Sequence, residues 1–171
     1  MPSKMRRMAL LAAIIEALVA CGLGKSDVVI SEFLASNTKG LRDIDGDTSD
    51  WIELHNRGSV AVNLGGWCLT DDSTQPCRWR FPAVQIPAGG YLLVFASGKN
   101  FTSVSEQLHS TFKLKATKDH LALLRPSGSV VHELAPYPDQ KSDVSFGLTR
   151  SGEQAYLRHP TPGAPNSEAL P

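Results

Sequence analysis

Short apolar runs separated by Gly, Pro, Asn and Asp recur along most of the chain, and after Asp27 no 3.6-residue period persists over roughly eleven positions. Val28-Val29-Ile30-Ser31-Glu32-Phe33-Leu34 is rich in β-branched residues and reads as a first strand. Trp51-Ile52-Glu53-Leu54-His55 alternates, with Ile52 and Leu54 on one face and Trp51, Glu53 and His55 on the other. Val60–Leu64, Trp67–Thr70 and Arg78–Phe81 follow, the last pairing a charged face with an aromatic one. Tyr91–Ala96 is the most continuously apolar run and is expected at the centre of a sheet. Leu108–Leu114, Leu121–Leu124, Val130–Leu134 and Asp143–Leu148 complete the series, and His159–Asn166 is a Pro-rich terminal strap. About eight to ten short strands at this spacing predict an all-β sandwich occupying residues 28–166, with 167–171 as a tail.

The stretch Asp43–Asn56 is chemically the densest. Asp43, Asp45, Asp47 and Asp50 crowd around Gly46, a composition that favours a turn over a helix. Clustered carboxylates in such a turn can supply the hard oxygen ligands that Ca²⁺ takes, so these four are candidate calcium ligands. The spacing is not that of an EF-hand, because Thr48 and Leu54 stand where Gly and Glu are required. A solvated acidic turn explains the same residues and is the plainer reading; no cofactor is required by the sequence, and calcium is the one it allows.

The first twenty residues differ from the rest. Lys4, Arg6 and Arg7 precede an apolar run from Met8 to Ala20 that only Glu16 interrupts. As a helix it would span ~20 Å, short of the ~30 Å hydrocarbon core, so residues 1–20 read as an export signal and not a membrane span. The run ends Leu18-Val19-Ala20-Cys21, which is similar to a bacterial lipobox and makes Cys21 a candidate lipidation site. An incidental cysteine after a weak apolar run is the alternative. Residues 21–27 would then be a tether, and the protein an exported lipoprotein anchored to a membrane.

The chain has three cysteines, and setting Cys21 aside leaves Cys68 and Cys77. A two-residue turn at Asp72-Ser73 would place these two directly opposite in an antiparallel hairpin, within reach of a disulfide. An exported protein leaves few thiols free, which favours the bridge; two unrelated buried thiols are the alternative.

Seventeen Lys and Arg balance seventeen Asp and Glu, which argues against a nucleic-acid partner recognised through a broad basic surface. His55, His109, His120, His132 and His159 form no closely spaced metal pattern, and GxSxG is absent. Gly98-Lys99 is not a phosphate loop, since Leu93 and Asn100 occupy its defining positions. Trp51, Trp67 and Trp79 read as core or sheet-face residues, and Arg78 and Arg80 as a solvated face.

Eight segments in order carry a resemblance. They are Ile30–Asn37, Asp50–Leu54 with Asn56, Leu64–Trp67 with Leu69–Asp72, Trp79 with Phe81-Pro82, Gly90–Val94, Leu108-His109, Phe112–Leu114, and Pro160–Ala164. Together they resemble the lamin-tail domain in its bacterial secreted form, over roughly residues 28–166. Phe146 and Leu148 stand where the family pattern has Tyr and Arg. The resemblance implies an immunoglobulin-like β-sandwich and an attachment or recognition role, since bacterial relatives often sit beside hydrolases and other extracellular modules. No heptad segment accompanies it, so filament assembly is not implied. The expected protein is therefore a non-enzymatic module with a protein or cell-envelope partner, or else a calcium-stabilised accessory of a separate extracellular hydrolase.

Overall fold

The β-branched run at Val28 forms a strand buried along its whole length, and the sheet grows outward from it on both sides. A computed structural model describes residues 27–171, so the expected export signal, the candidate lipidation site Cys21 and most of the expected tether lie outside the described residues. Twelve strands follow one another: β1 (Val28–Leu34), β2 (Trp51–Asn56), β3 (Val62–Asn63), β4 (Cys68–Thr70), β5 (Trp79–Arg80), β6 (Gln85–Ile86), β7 (Tyr91–Phe95), β8 (Leu108–His109), β9 (Asp119–Leu124), β10 (Val130–Tyr137), β11 (Phe146–Leu148) and β12 (Gln154–Tyr156). A six-stranded sheet in the order β12-β11-β1-β2-β7-β8 faces a four-stranded sheet in the order β10-β9-β4-β5, and β3 and β6 form a separate ribbon.

Alternation assigns the faces. Ile30, Phe33, Ile52, Leu54 and Val94 project inward from the large sheet onto Leu69, Trp79, Leu121, Leu123, Leu134 and Tyr137 of the small one. Trp51 crosses to the opposite face, where it packs with Leu34 and Phe95 in a second apolar cluster. All the pairings are antiparallel except β7 with β8. This is the all-β sandwich that the periodicity predicts, in the immunoglobulin-like form that the resemblance implies.

Several details differ from the sequence reading. Among the described residues there are twelve strands instead of eight to ten, because two-residue strands such as β6 and the short β12 are too brief to leave an alternation pattern. The centre of the large sheet is β1–β2, not β7, which has only the two-residue β8 beyond it. Tyr91, Leu92 and Leu93 are accordingly half-buried. The run Leu108–Leu114 is a strand only at Leu108-His109; beyond it the chain turns, and Ser110 Oγ donates to its own loop at Phe112 O. Residues 167–171 are not a free tail. Leu157 bridges to Ala169, and Leu170 N donates to Tyr156 O.

One irregularity in β1 shapes the rest. The register with β2 slips between Ile30 and Glu32, so that Glu32 pairs with Glu53 and Phe33 with Ile52. Such a bulge offsets the alternation by one residue. Gly147 of β11 pairs with Glu32 at this point. A Cβ on Gly147 would lie 2.2 Å from Ser31 O and 2.8 Å from Glu32 Cα, so only glycine fits there.

Candidate functional site

The acidic loop folds around one of its own carboxylates. Asp43 Oδ1 accepts from the backbone N–H of Asp45 and of Asp47, at 3.1 and 2.9 Å, while Oδ2 accepts from Ser49 Oγ at 2.9 Å. Asp43 is thereby buried, whereas Asp45 and Asp47 remain exposed. Their carboxylate oxygens converge to within 4.8 Å of one another. Into that space comes Lys99, from the loop after β7. Its Nζ lies 2.7 Å from Asp43, 2.6 Å from Asp45 and 2.9 Å from Asp47. The ammonium thus stands where a cation held by these three groups would stand.

Electrostatics follow the geometry. Burial disfavours the Asp43 carboxylate, but its hydrogen bonds to Lys99, Ser49 and Asp47 N outweigh this and hold its pKa at about 2. The same contacts, first with Asp43 and then with Asp45, push the Lys99 ammonium above its ordinary value. Asp50, the fourth candidate ligand, does not join the cluster. Its Oδ1 accepts from Ser36 N at 2.8 Å and Asn37 N at 3.0 Å, fastening the loop after β1.

Lys99 was not legible as part of this site. It lies more than fifty residues along the chain from the acidic turn, beside a glycine in a pair that carries no phosphate-loop pattern. Arg78 and Arg80 are likewise engaged: Arg78 pairs with Asp71 at 2.6 Å and lies over the Phe112 ring, and Arg80 donates to Gly66 O.

Cys68 and Cys77 are joined, with their Cα atoms 5.0 Å apart. The disulfide is as expected, but the hairpin register is not. Cys68 pairs with Arg80 and Leu69 with Trp79, three residues beyond the simple two-residue turn. Thr70 and Asp72 explain the longer loop: Thr70 Oγ1 donates to Gln75 O at 2.6 Å, and Asp72 Oδ1 accepts from Thr74 N and Thr74 Oγ1. The bridge therefore closes a side-chain-ordered loop instead of crossing a ladder.

A second constellation lies beneath the C-terminal strap. Glu32 and Glu53, cross-strand partners at the β1 bulge, are both fully buried. Thr161 N and Oγ1 donate to Glu32, Gly163 N and Ser31 Oγ donate to Glu53, and Asn166 Nδ2 pins the strap to Ser31 O and Leu148 O. Burial is the main cause that raises both carboxyls; for Glu53, the neighbouring Glu32 adds to it, and its pKa reaches about 7. Alternation places Glu53 on the outer face, which ordinarily means solvent. What the alternation does not reveal is the strap.

Ser97 Oγ lies 2.8 Å from His109 Nδ1. Lys99 N donates to the same hydroxyl, and the imidazole is buried between Phe95 and Phe101. The pair ties β8 to the loop that carries Lys99.

With this sandwich and these loops in view, comparison with protein families is decisive. The model of the Lamin Tail Domain matches residues 24–137, which is 114 of the 171 positions. The chain belongs to the lamin tail domain family. No curated protein matches it. The match spans β1 to β10 and includes the acidic loop, Lys99 and both bridged cysteines; β11, β12 and the strap of this lamin tail domain lie beyond it.

Proposed function

We propose that this protein is an exported lipoprotein that displays its lamin tail domain as a non-enzymatic binding or scaffolding module at the cell envelope. The observation that carries the reading is the Cys68–Cys77 disulfide, which belongs to an oxidising compartment and leaves Cys21 as the single cysteine outside the bridge. Cys21 follows a basic and then apolar leader and the small residue Ala20, the order that lipoprotein processing requires. Two acyl chains on Cys21 would make attachment effectively permanent, since each buried CH₂ contributes about 0.8 kcal/mol. Residues 22–27 reach ~20 Å at most when extended, so the sandwich would work close to the membrane. Partners are then proteins or other envelope components at that surface, and not nucleic acid.

Fractionation and mass spectrometry test this reading. The native protein is expected in the membrane fraction, resistant to high salt and extracted by detergent, with Cys21 acylated and amino-terminal. Cys21→Ser should leave an unprocessed or soluble form. An unmodified Cys21, or a mature chain that retains Met1, would overturn the address.

The convergence of Asp43, Asp45 and Asp47 favours a second reading, in which calcium braces the domain as an accessory to a separate extracellular hydrolase. Calcium would have to displace the Lys99 ammonium to bind there. Calcium-dependent stabilisation of the unaltered protein is the test.

A further inference from the structure

Opposite the sandwich core, the outer face of the large sheet ends in a groove of about 280 Å³, walled by the β11–β12 turn and the strap. Its floor is the cross-strand row Val29, His55 and Tyr91. The His55 and Tyr91 rings stack at 4.2 Å and 13°, giving the floor a flat aromatic patch. Two guanidinium groups line the same groove, Arg57 from the end of β2 and Arg150 from the β11–β12 turn.

Neither arginine is held tightly by the fold. Among the described residues, the Arg57 guanidinium makes no hydrogen bond or ion pair. Arg150 makes only a 3.4 Å hydrogen bond to Asn166 O and a 4.0 Å pair with Glu168, both partners of the ion pair being about 70% exposed. Arg78, Arg80 and Lys99 are all engaged at 2.9 Å or less, so these two stand out. Arg57 also helps to keep His55 from protonating, after burial, which is the larger cause. Thr149 and Ser151 add hydroxyls to the wall. The carboxylates close to it are Glu153, hydrogen-bonded to Ser151, Glu168, and the buried Glu53, which accepts from Ser31 Oγ in the groove lining and acts electrostatically on Tyr91.

One guanidinium without a side-chain partner and a second held only by long, exposed contacts, in one concavity, favour an oxyanion, which guanidiniums grip in bidentate fashion. An aromatic floor with hydroxyl-bearing walls suits a ring whose edge is polar and whose face is apolar, and the volume holds one small ring. We infer that this groove binds a sugar unit carrying an oxyanion, a uronic-acid carboxylate or a sugar phosphate, between Arg57 and Arg150 and against Tyr91. The ligand class deepens the envelope-binding reading and rests on it for its biological setting, but the groove can be tested without reference to any membrane.

The test is an NMR titration of the full-length chain, solubilised in detergent, with glucuronate, glucose 1-phosphate, glucose and acetate. Amide shifts at His55, Arg57, Tyr91 and Arg150 are expected with glucuronate or glucose 1-phosphate, and the stronger of the two identifies the source of the oxyanion. Arg57→Gln and Arg150→Gln should each weaken binding about tenfold, the loss expected for one charge-assisted pair, with unfolding temperature unchanged. Equal shifts with glucose would show that the arginines are not read, and equal shifts with acetate that the sugar is not; either overturns the assignment. So does silence with both anionic sugars at tens of millimolar. Membrane fractionation decides the address separately, so failure of the one is distinguishable from failure of the other.

Discussion

Glu32 and Glu53 face each other across β1 and β2 with no solvent exposure, and backbone or hydroxyl groups of the strap are bonded to both. The Glu53 pKa of about 7 lies above its ordinary value, so the folded chain holds this proton more tightly than the unfolded one does. Stability is therefore fully present below about pH 4.5 and declines as pH rises through 7, by on the order of 2–3 kcal/mol. Calorimetric melting at pH 5 and pH 8 should show this loss, and Glu53→Gln should reduce it, leaving the part that the raised Glu32 carboxyl contributes. A wild-type melting temperature equal at the two pH values would contradict the buried-proton account.

Lys99 supplies the counter-charge to Asp43, Asp45 and Asp47, so Lys99→Met should destabilise the loop and free the three carboxylates together. Millimolar Ca²⁺ is then expected to raise the melting temperature of the variant more than that of the wild type. At ten times the dissociation constant the gain is about 1.4 kcal/mol, and further replacement of Asp45 and Asp47 by Asn should abolish it. On the acid side, Asp43 has its pKa lowered to about 2, so its contribution in the wild type is complete above about pH 4 and is lost as pH falls toward 2. Identical calcium responses in the two proteins would mean that the ammonium does not guard the site.

The Cys68–Cys77 bridge closes a loop with a sequence separation of nine. Chain-entropy reasoning gives it about 2.5–3 kcal/mol. The Cys68→Ser, Cys77→Ser double variant should lose roughly that amount in urea unfolding, while peptide mapping of exported wild-type protein should find both thiols blocked. Free thiols at both positions would remove the link between this domain and an oxidising compartment.

Gly147 sits against the backbone of the β1 bulge, with Ser31 O and Glu32 Cα in the way of any side chain. Gly147→Ala should cost about 3 kcal/mol, at the upper end of overpacking penalties. Gly46, Gly89 and Gly128 have open space beside them, so they test conformation alone and should respond far less to volume. Denaturant midpoints for Gly147→Ala and for the wild type measure the difference.

The legible part of the fold was the part encoded in neighbouring residues. The alternation in Trp51–His55 assigned inner and outer faces correctly, and the β-branched run fixed β1 from end to end. The disulfide partners followed from counting cysteines, but their register did not, because Thr70 and Asp72 lengthen the turn through side-chain hydrogen bonds that a two-residue hairpin cannot anticipate. The meeting of Asp43, Asp45 and Asp47 was visible from their spacing. Lys99 was hidden because its partnership is created by the packing of two loops, and the burial of Glu53 was hidden because the strap that covers it arrives more than a hundred residues later.

The strap also separates what is recognisable from what can fold. A fragment cut at Tyr137, where the family match ends, would keep β1 but lose β11, its neighbour on one side, and with it the sheet's outermost strand, β12. Glu32 would then lie on a bare, hydrogen-bond-hungry edge strand, with Glu53 uncovered beside it on β2, and such an edge recruits other chains. An expression fragment drawn to the boundary of the family would be an aggregation hazard, and a fusion partner appended close after Asn166 would press on the residue that holds the lid shut.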